Sequence, residues 1–288
     1  MSLTRSSRSD TESDEFGAVE VIVTDKQSSL PEAVDVKRPS AARIYDYVLG
    51  GSTNFQVDRE FADRALARFP GARMVAMLNR SFLRRSVQFC LDQGIRQFLD
   101  IGSGIPTVGN VHEVARKIDP GTRVVYADNE PVAIAHSRQL LQDDPLTTAI
   151  LADVRDPRVL LADPEVRKLL DFEQPVAVLM VALLHFVPDS DDPAGLVAAY
   201  RDVMAPGSML VLSHGTTDGV PEVAALAEQY KESANPATMR GRDEITAMLA
   251  GFEIMSPGVV FTAAWRPDQE PVEALPEQSG AYAAVGRR

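Results

Sequence analysis

The sequence predicts an α/β protein: a mostly parallel sheet of seven strands with helices on both faces, preceded by a helical cap. Three observations carry this. Residues 40–93 place apolar side chains at helix spacing and contain no convincing strand. From residue 95 onward short apolar runs alternate with helical stretches, the rhythm of a parallel sheet covered by helices. The first of those runs closes with "FLDIGSGIPT" (98–107), where an aspartate precedes two glycines one residue apart. Such a turn is tight and lets backbone approach a ligand, because no Cβ intervenes.

Residues 1–38 are rich in Ser, Asp and Glu, lack sustained periodicity, and read as a flexible tail with one short strand candidate at "AVEVIVTD". Ser40 is the expected N-cap of a first helix, in which Ile44, Tyr45 and Val48 recur at helix spacing until Gly50-Gly51 stops it. Further helices are expected over 58–69 and over 73–93, the latter with Val75, Leu78, Phe82, Val87 and Leu91 on one face and Gly94 as its stop. Residues 39–94 are thus the cap or lid, and 95–288 the sheet domain. Strands are expected at 97–101, 123–128, 147–152, 175–184, 208–214, 251–261 and 282–285. Helices fill the gaps at 107–118, 131–142, 163–170, 192–204, 222–233 and 242–250. The last two strands have no clear helix between them, which predicts an antiparallel pair at the sheet edge.

A chain of 288 residues with 45% apolar and 24% charged residues can bury a sizeable core. Its formal charge of -12 argues against nucleic acid as a partner, since tracking a phosphate backbone needs clustered Lys and Arg. Cys90 is the one cysteine, so no internal disulfide is possible; it sits on an amphipathic helix as an apolar filler. The first residues lack the apolar core of a signal peptide, and the apolar run 176–184 is far shorter than the roughly 20 residues of a membrane span. A cytoplasmic protein without membrane association is expected, and nothing in the sequence sets its oligomeric state.

In open α/β sheets, ligands sit beyond the carboxyl ends of the strands. Four ends stand out. Asp100, Gly102 and Gly104 close the first strand before a helix whose N-terminal amides could face an anionic group. Asp128 closes "RVVYAD" and can accept both hydroxyls of a ribose, so its removal should weaken nucleoside binding with little effect on folding. Asp153, in "ILADVRD", can offer its carboxylate or the neighbouring backbone to an exocyclic amine of adenine. His185 and Phe186 end the most apolar strand, and His214 ends the next; either histidine could take a proton from an acceptor. Each has a bland alternative: a capped turn for Asp100 and Gly102, helix caps for Asp128 and Asp153, a satisfied buried ring for His185. In the cap, Arg43, Tyr45, Asp46, Asn54 and Phe55 crowd around Gly50-Gly51, the pattern of a loop that closes on a ligand or docks the cap. Asn110 and His112 follow the glycine turn as supports or helix surface.

This order of strand-end residues resembles the class I S-adenosylmethionine-dependent methyltransferases. More narrowly, "PSAARIYDYVLGGSTNFQVDRE" (39–60), "FLDIGSGIPTVGNVHEVAR" (98–116) and "VVYADNEPVAIAHSRQLL" (124–141) resemble an actinobacterial family of S-adenosyl methyltransferases once described as a domain of unknown function. The resemblance implies a Rossmann-like methyltransferase fold, S-adenosylmethionine as cofactor and methyl transfer to a small acceptor that it does not name. Carried over by position, it places Asp100, Gly102 and Gly104 at the methionine end of the cofactor, Asp128 at the ribose and Asp153 at the adenine, with their neighbours Ser103, Asn129 and Val154 in the same cofactor-binding set. Tyr45, Asn54 and Phe55 complete the expected set from the cap. Where such enzymes often carry a further glycine, Pro106 and Thr107 stand here.

Other chemistries fit less well. A nicotinamide enzyme would have glycine where Thr107 stands, and an Asp100 facing the ligand would repel a pyrophosphate but not a positively charged sulfonium. "HEVAR" begins like a zinc motif, but Arg116 replaces its second histidine, and histidines at 112, 136, 185 and 214 have no ligand spacing, so no metal is expected. Ser103 lacks the Gly-x-Ser-x-Gly frame of a serine hydrolase. The non-enzymatic alternative is a regulator that binds the cofactor without transferring its methyl group.

Overall fold

Strands buried on both faces need apolar residues on both sides, and the central strands supply them at most positions. They are β1 (Gln97–Ile101), β2 (Arg123–Asp128), β3 (Thr147–Leu151), β4 (Ala177–Val181) and β5 (Met209–Gly215). In this computed structural model, which describes residues 34–107, 109–268 and 275–288, they pair in parallel. The strand candidate within 18–25 lies outside the described residues. β8 (Ala281–Arg287) runs antiparallel to β5 and pairs in turn with β6 (Glu253–Ile254), giving the order β3-β2-β1-β4-β5-β8-β6.

Alternate side chains feed two layers. Leu99, Ile101, Val178 and Met180 meet α6 (Pro157–Ala162), α7 (Pro164–Leu169), α8 (Pro193–Val203) and α10 (Arg242–Met248) on one side. Phe98, Val124, Leu179 and Val211 meet α3 (Ala72–Asp92), α4 (Val111–Arg116) and α5 (Pro131–Leu140) on the other. A smaller core of Ile44, Val48, Phe61, Ala62 and Ala76 joins α1 (Ala41–Val48) and α2 (Gln56–Arg68) to the start of α3. α9 (Glu222–Tyr230) meets that cap: the Gln229 amide donates to Phe61 O at 2.8 Å, and the Phe61 and Tyr230 rings meet edge to face.

Three details depart from the pattern read in the sequence. The strand expected over 251–261 is two short pieces, β6 (Glu253–Ile254) and β7 (Val260–Phe261), both paired with β8. Ser256-Pro257-Gly258 breaks it, since proline removes a ladder donor and Gly258 adopts φ +95°. β8 therefore lies inside the sheet with β6 as its neighbour. α6, absent from the sequence reading, opens at Pro157 directly after Asp156. β4 stops at Val181, three residues early, because Ala182 turns into the left-handed region at φ 55°.

Candidate active site

The strand order fixes where the site lies: the switch falls between β1 and β4, and a cavity of about 540 Å³ opens beyond these strand ends. Its floor holds Asp100 at the end of β1 with Gly102, Ser103 and Gly104 after it, Asp128 as the last residue of β2 with Asn129 and Glu130 after it, and Asp153 and Val154 after β3. His185 and His214 line it beyond β4 and β5, and Tyr45 walls it from the cap. Asn54 and Phe55 do not line it.

The glycine turn is not a phosphate cradle. Gly102 N–H donates to Ala127 O at 2.7 Å and Gly104 N–H to Asp128 Oδ2 at 2.7 Å, so these amides are spent on the end of β2. Gly102 has φ +71°, and a Cβ there would lie 2.6 Å from Leu183 Cδ1, which explains the residue. The helix expected from residue 107 begins instead at Val111, because Asn110 and Glu113 close a capping box ahead of it. Ahead of it Gly109 N–H and Asn110 N–H both reach Glu113 Oε2, and within its first turn His112 N–H reaches the Tyr126 hydroxyl, so these three amides are engaged inside the protein.

Carboxylates dominate this end. Burial pushes the Asp100 carboxyl up to about 7, with Arg80 opposing and Asp128 reinforcing the rise. Burial likewise lifts Asp128 to about 6, against the amides of Glu130 and Gly104. Asp128 is not the cap of α5; Glu130 is, accepting from Val132 N–H at 3.3 Å. Asp153 is held at about 2, chiefly by Arg155. Its oxygens accept from Arg155 Nε at 2.9 Å, Arg155 Nη2 at 2.6 Å, Arg155 N–H at 2.9 Å and Asn129 Nδ2 at 3.2 Å. Those donors occupy the carboxylate, and Val154 beside it lines the cavity as well.

The two histidines are both hydrogen-bonded within the protein. His214 Nδ1 donates to Gly215 O at 2.8 Å and its Nε2 accepts from Arg240 Nη1 at 3.0 Å. Burial lowers it to about 4. His185 Nδ1 accepts from Gly215 N–H at 3.4 Å, which leaves the ring proton on Nε2, and burial beside His214 and Arg240 holds its pKa well below the usual value. In this arrangement the lone pair of each ring faces a protein N–H, that of Gly215 for His185 and that of Arg240 for His214.

Asn54 and Phe55 build the cap instead. Asn54 Nδ2 donates to Asp46 Oδ2 at 2.8 Å and to Gly51 O at 3.0 Å, so the loop folds back on α1. A Cβ on Gly51 would fall 2.0 Å from Asp46 Oδ1. The Phe55 ring lies under the Arg43 guanidinium, 5.1 Å from its centroid. Arg43, fully buried, reaches Asp58 Oδ2 at 2.8 Å and Glu130 Oε2 at 3.0 Å, tying α1 to α2 and to the start of α5.

Several site residues escaped the sequence reading. Asn79 and Arg80 lie on α3, where two polar residues interrupt an apolar face; that interruption was the available signal. Ser213 Oγ donates to Asn79 Oδ1 at 2.6 Å, and Asn79 Nδ2 to the Tyr45 hydroxyl at 3.3 Å. Arg240 sits in a loop with no motif, yet it is buried and bonds Leu184 O, Val187 O, Asp189 and His214.

A doubly wound sheet whose glycine turn is spent internally and ringed by carboxylates suits a nucleoside cofactor bearing positive charge, and that defines the class: an S-adenosylmethionine-dependent methyltransferase of Rossmann-like fold. Residues 27–288 match the S-adenosyl methyltransferase family, and the chain belongs to it. It is similar to a protein of Thermobifida fusca YX proposed to be a methyltransferase, with 43% identity, 87% of this chain and 95% of that one covered, and a TM-score of 0.83. It is also similar to a Streptomyces avermitilis MA-4680 protein of the DUF574 family, with 37% identity, 88% and 99% covered, and a TM-score of 0.85. A search of the curated proteins found no match.

Proposed function

We propose that the protein transfers the methyl group of S-adenosylmethionine to a small molecule held at the histidine end of its cavity. One observation carries this: a single cavity whose carboxylates, Asp100, Asp128, Glu130 and Asp153, all stand beyond β1 to β3, while the wall beyond β4 and β5 is apolar and carries the histidines. The residues at the acidic end suit the cofactor. Asp128 can take the ribose hydroxyls and Asp100 the ammonium of the methionine end. The Ser103 hydroxyl is buried without a partner among the described residues and can serve that same end. Asn129 and the backbone of Val154 border the adenine position, and Tyr45 closes the wall.

The cofactor supplies an activated methyl group, so the chain has to align an acceptor and exclude water. α1, α3, α9 and residues 234–239 enclose the cavity, which favours a compact acceptor over a macromolecular surface. The test has two parts. Calorimetry should report binding of S-adenosylmethionine and of its demethylated product. Incubation of the protein and methyl-labelled cofactor with cell extract should then put label into the low-molecular-weight fraction. Label in protein or nucleic acid instead would overturn the reading, and binding without any transfer would favour a regulator.

A further inference from the structure

Resting on that reading, we propose that the acceptor is an oxygen acid of phenol or enol type on an apolar frame, methylated as its anion while His185 Nε2–H donates a hydrogen bond to the reacting oxygen. The acceptor end of the cavity is walled by Phe69, Val75, Phe186, Leu226, Tyr230 and Met239, which fits an apolar frame. Its polar atoms are mostly committed: Tyr45, Asn79 and Ser213 bond one another, and Ser213 Oγ also accepts from Ala182 N–H at 2.9 Å. His214 uses both ring nitrogens, and Arg240 is anchored to Asp189 and two carbonyls. His185 is different. Its Nδ1 is occupied by Gly215 N–H, and its Nε2–H has no partner among the described residues.

The chemistry of the acceptor follows from these donors and acceptors. Among the described residues lining this end there is no carboxylate, lysine or cysteine, and the lone pair of each histidine faces a protein N–H, so none of these side chains presents an open base to a neutral alcohol. The nucleophile must arrive with its electron pair available. A neutral amine meets that condition, but its single lone pair cannot both attack and accept from His185. An anionic oxygen has lone pairs for both. In the transfer, an oxygen lone pair forms the C–O bond as the S–CH₃ bond breaks and its electrons return to sulfur. Anion and sulfonium become a neutral ether and a thioether, and no proton moves.

The test uses the full chain, methyl-labelled S-adenosylmethionine at saturation, and a panel of substituted naphthols beside naphthalenemethanol and naphthylamine. We expect the naphthols alone to be methylated, with a pH midpoint for turnover that follows each naphthol's own acidity. His185→Phe should lower turnover by about ten- to a hundredfold, the worth of one hydrogen bond to a charged atom. His185→Gln, which can donate but cannot act as a base, should recover most of it. Transfer to the alcohol or the amine, a midpoint fixed across the naphthols, or a glutamine variant as impaired as phenylalanine would each overturn the proposal. So would failure of every naphthol to bind or react in a protein that binds S-adenosylhomocysteine. Failure to bind S-adenosylhomocysteine would instead overturn the cofactor assignment beneath it.

Discussion

Asp100 is a buried carboxyl held at a cost in stability. Its carboxyl titrates near 7 in the folded chain against 3.8 for an ordinary aspartate, because burial disfavours the charged form. The folded state therefore binds more protons than the unfolded one between these values, and stability falls as pH rises through that window. Asp100→Asn should raise Tm at pH 8, by an amount on the order of 2 kcal/mol in free energy, and the advantage should shrink toward pH 4. Cofactor affinity should move the other way, falling at least about tenfold as a charge-assisted contact is lost. A Tm difference equal at both pH values would reject this. For the unaltered protein, cofactor affinity should decline below pH 7, since the neutral carboxyl no longer attracts an ammonium; calorimetry across pH 5.5–8 reads it. Asp128 adds a correction at the same scale. It holds Gly104 N–H at 2.7 Å and Glu130 N–H at 2.8 Å, so Asp128→Ala should cost about 2 kcal/mol of stability as well as affinity, contrary to a role in ribose binding alone. Chemical denaturation separates the two losses.

The first helix draws its place from one buried cation. Arg43 is 2% exposed and bonds Asp58 and Glu130, while its remaining guanidinium nitrogen donates to Asp35 O at 3.1 Å and Arg38 O at 2.7 Å. Removing it would leave two buried carboxylates without their countercharge. Arg43→Ala should destabilise the protein by about 3–5 kcal/mol, the usual cost of breaking a buried pair from one side. Denaturation with urea should show a lower midpoint; a midpoint unchanged within error would mean that the helix docks through Ile44 and Val48 alone. The element also explains the glycine pair. Gly51 yields room to the Asp46 carboxylate, which accepts from Thr53 N–H at 2.9 Å and from Asn54, so the loop after α1 is clasped to its own helix.

For the whole molecule, the cavity is the point where distant segments meet. α1, the stretch 182–188 after β4, and residues 234–239 all line it, though almost two hundred residues separate the first from the last. Backbone bonds join them: Ala234 N–H reaches Pro39 O at 2.9 Å and Thr238 N–H reaches His185 O at 2.7 Å. A ligand that fills this space should protect all three together. Hydrogen exchange on adding S-adenosylhomocysteine should slow within 41–48, 182–188 and 234–239 and leave 50–55 unchanged. Slowing confined to 43–55 would restore the idea of that loop as a lid. The bound state should also gain about 2.7 kcal/mol of apparent stability at a hundredfold excess of ligand over Kd.

By itself the sequence determined the order of elements and the acidic residues at the strand ends, because apolar periodicity and glycine turns are local properties of a chain. β1 and β2 were legible to the residue, whereas the switch in strand order beside the glycine turn appears only once β1 is seen to pair with β4. What only the tertiary structure decided is which partners each polar group finds. Asp153 is consumed by Arg155, two residues away, whereas His214 is consumed by Arg240, from a loop with no motif of its own. Asn54 turns to Asp46 and away from the cavity. A residue type announces what it can donate or accept; whether that capacity is still free for a ligand depends on packing between segments far apart in the chain.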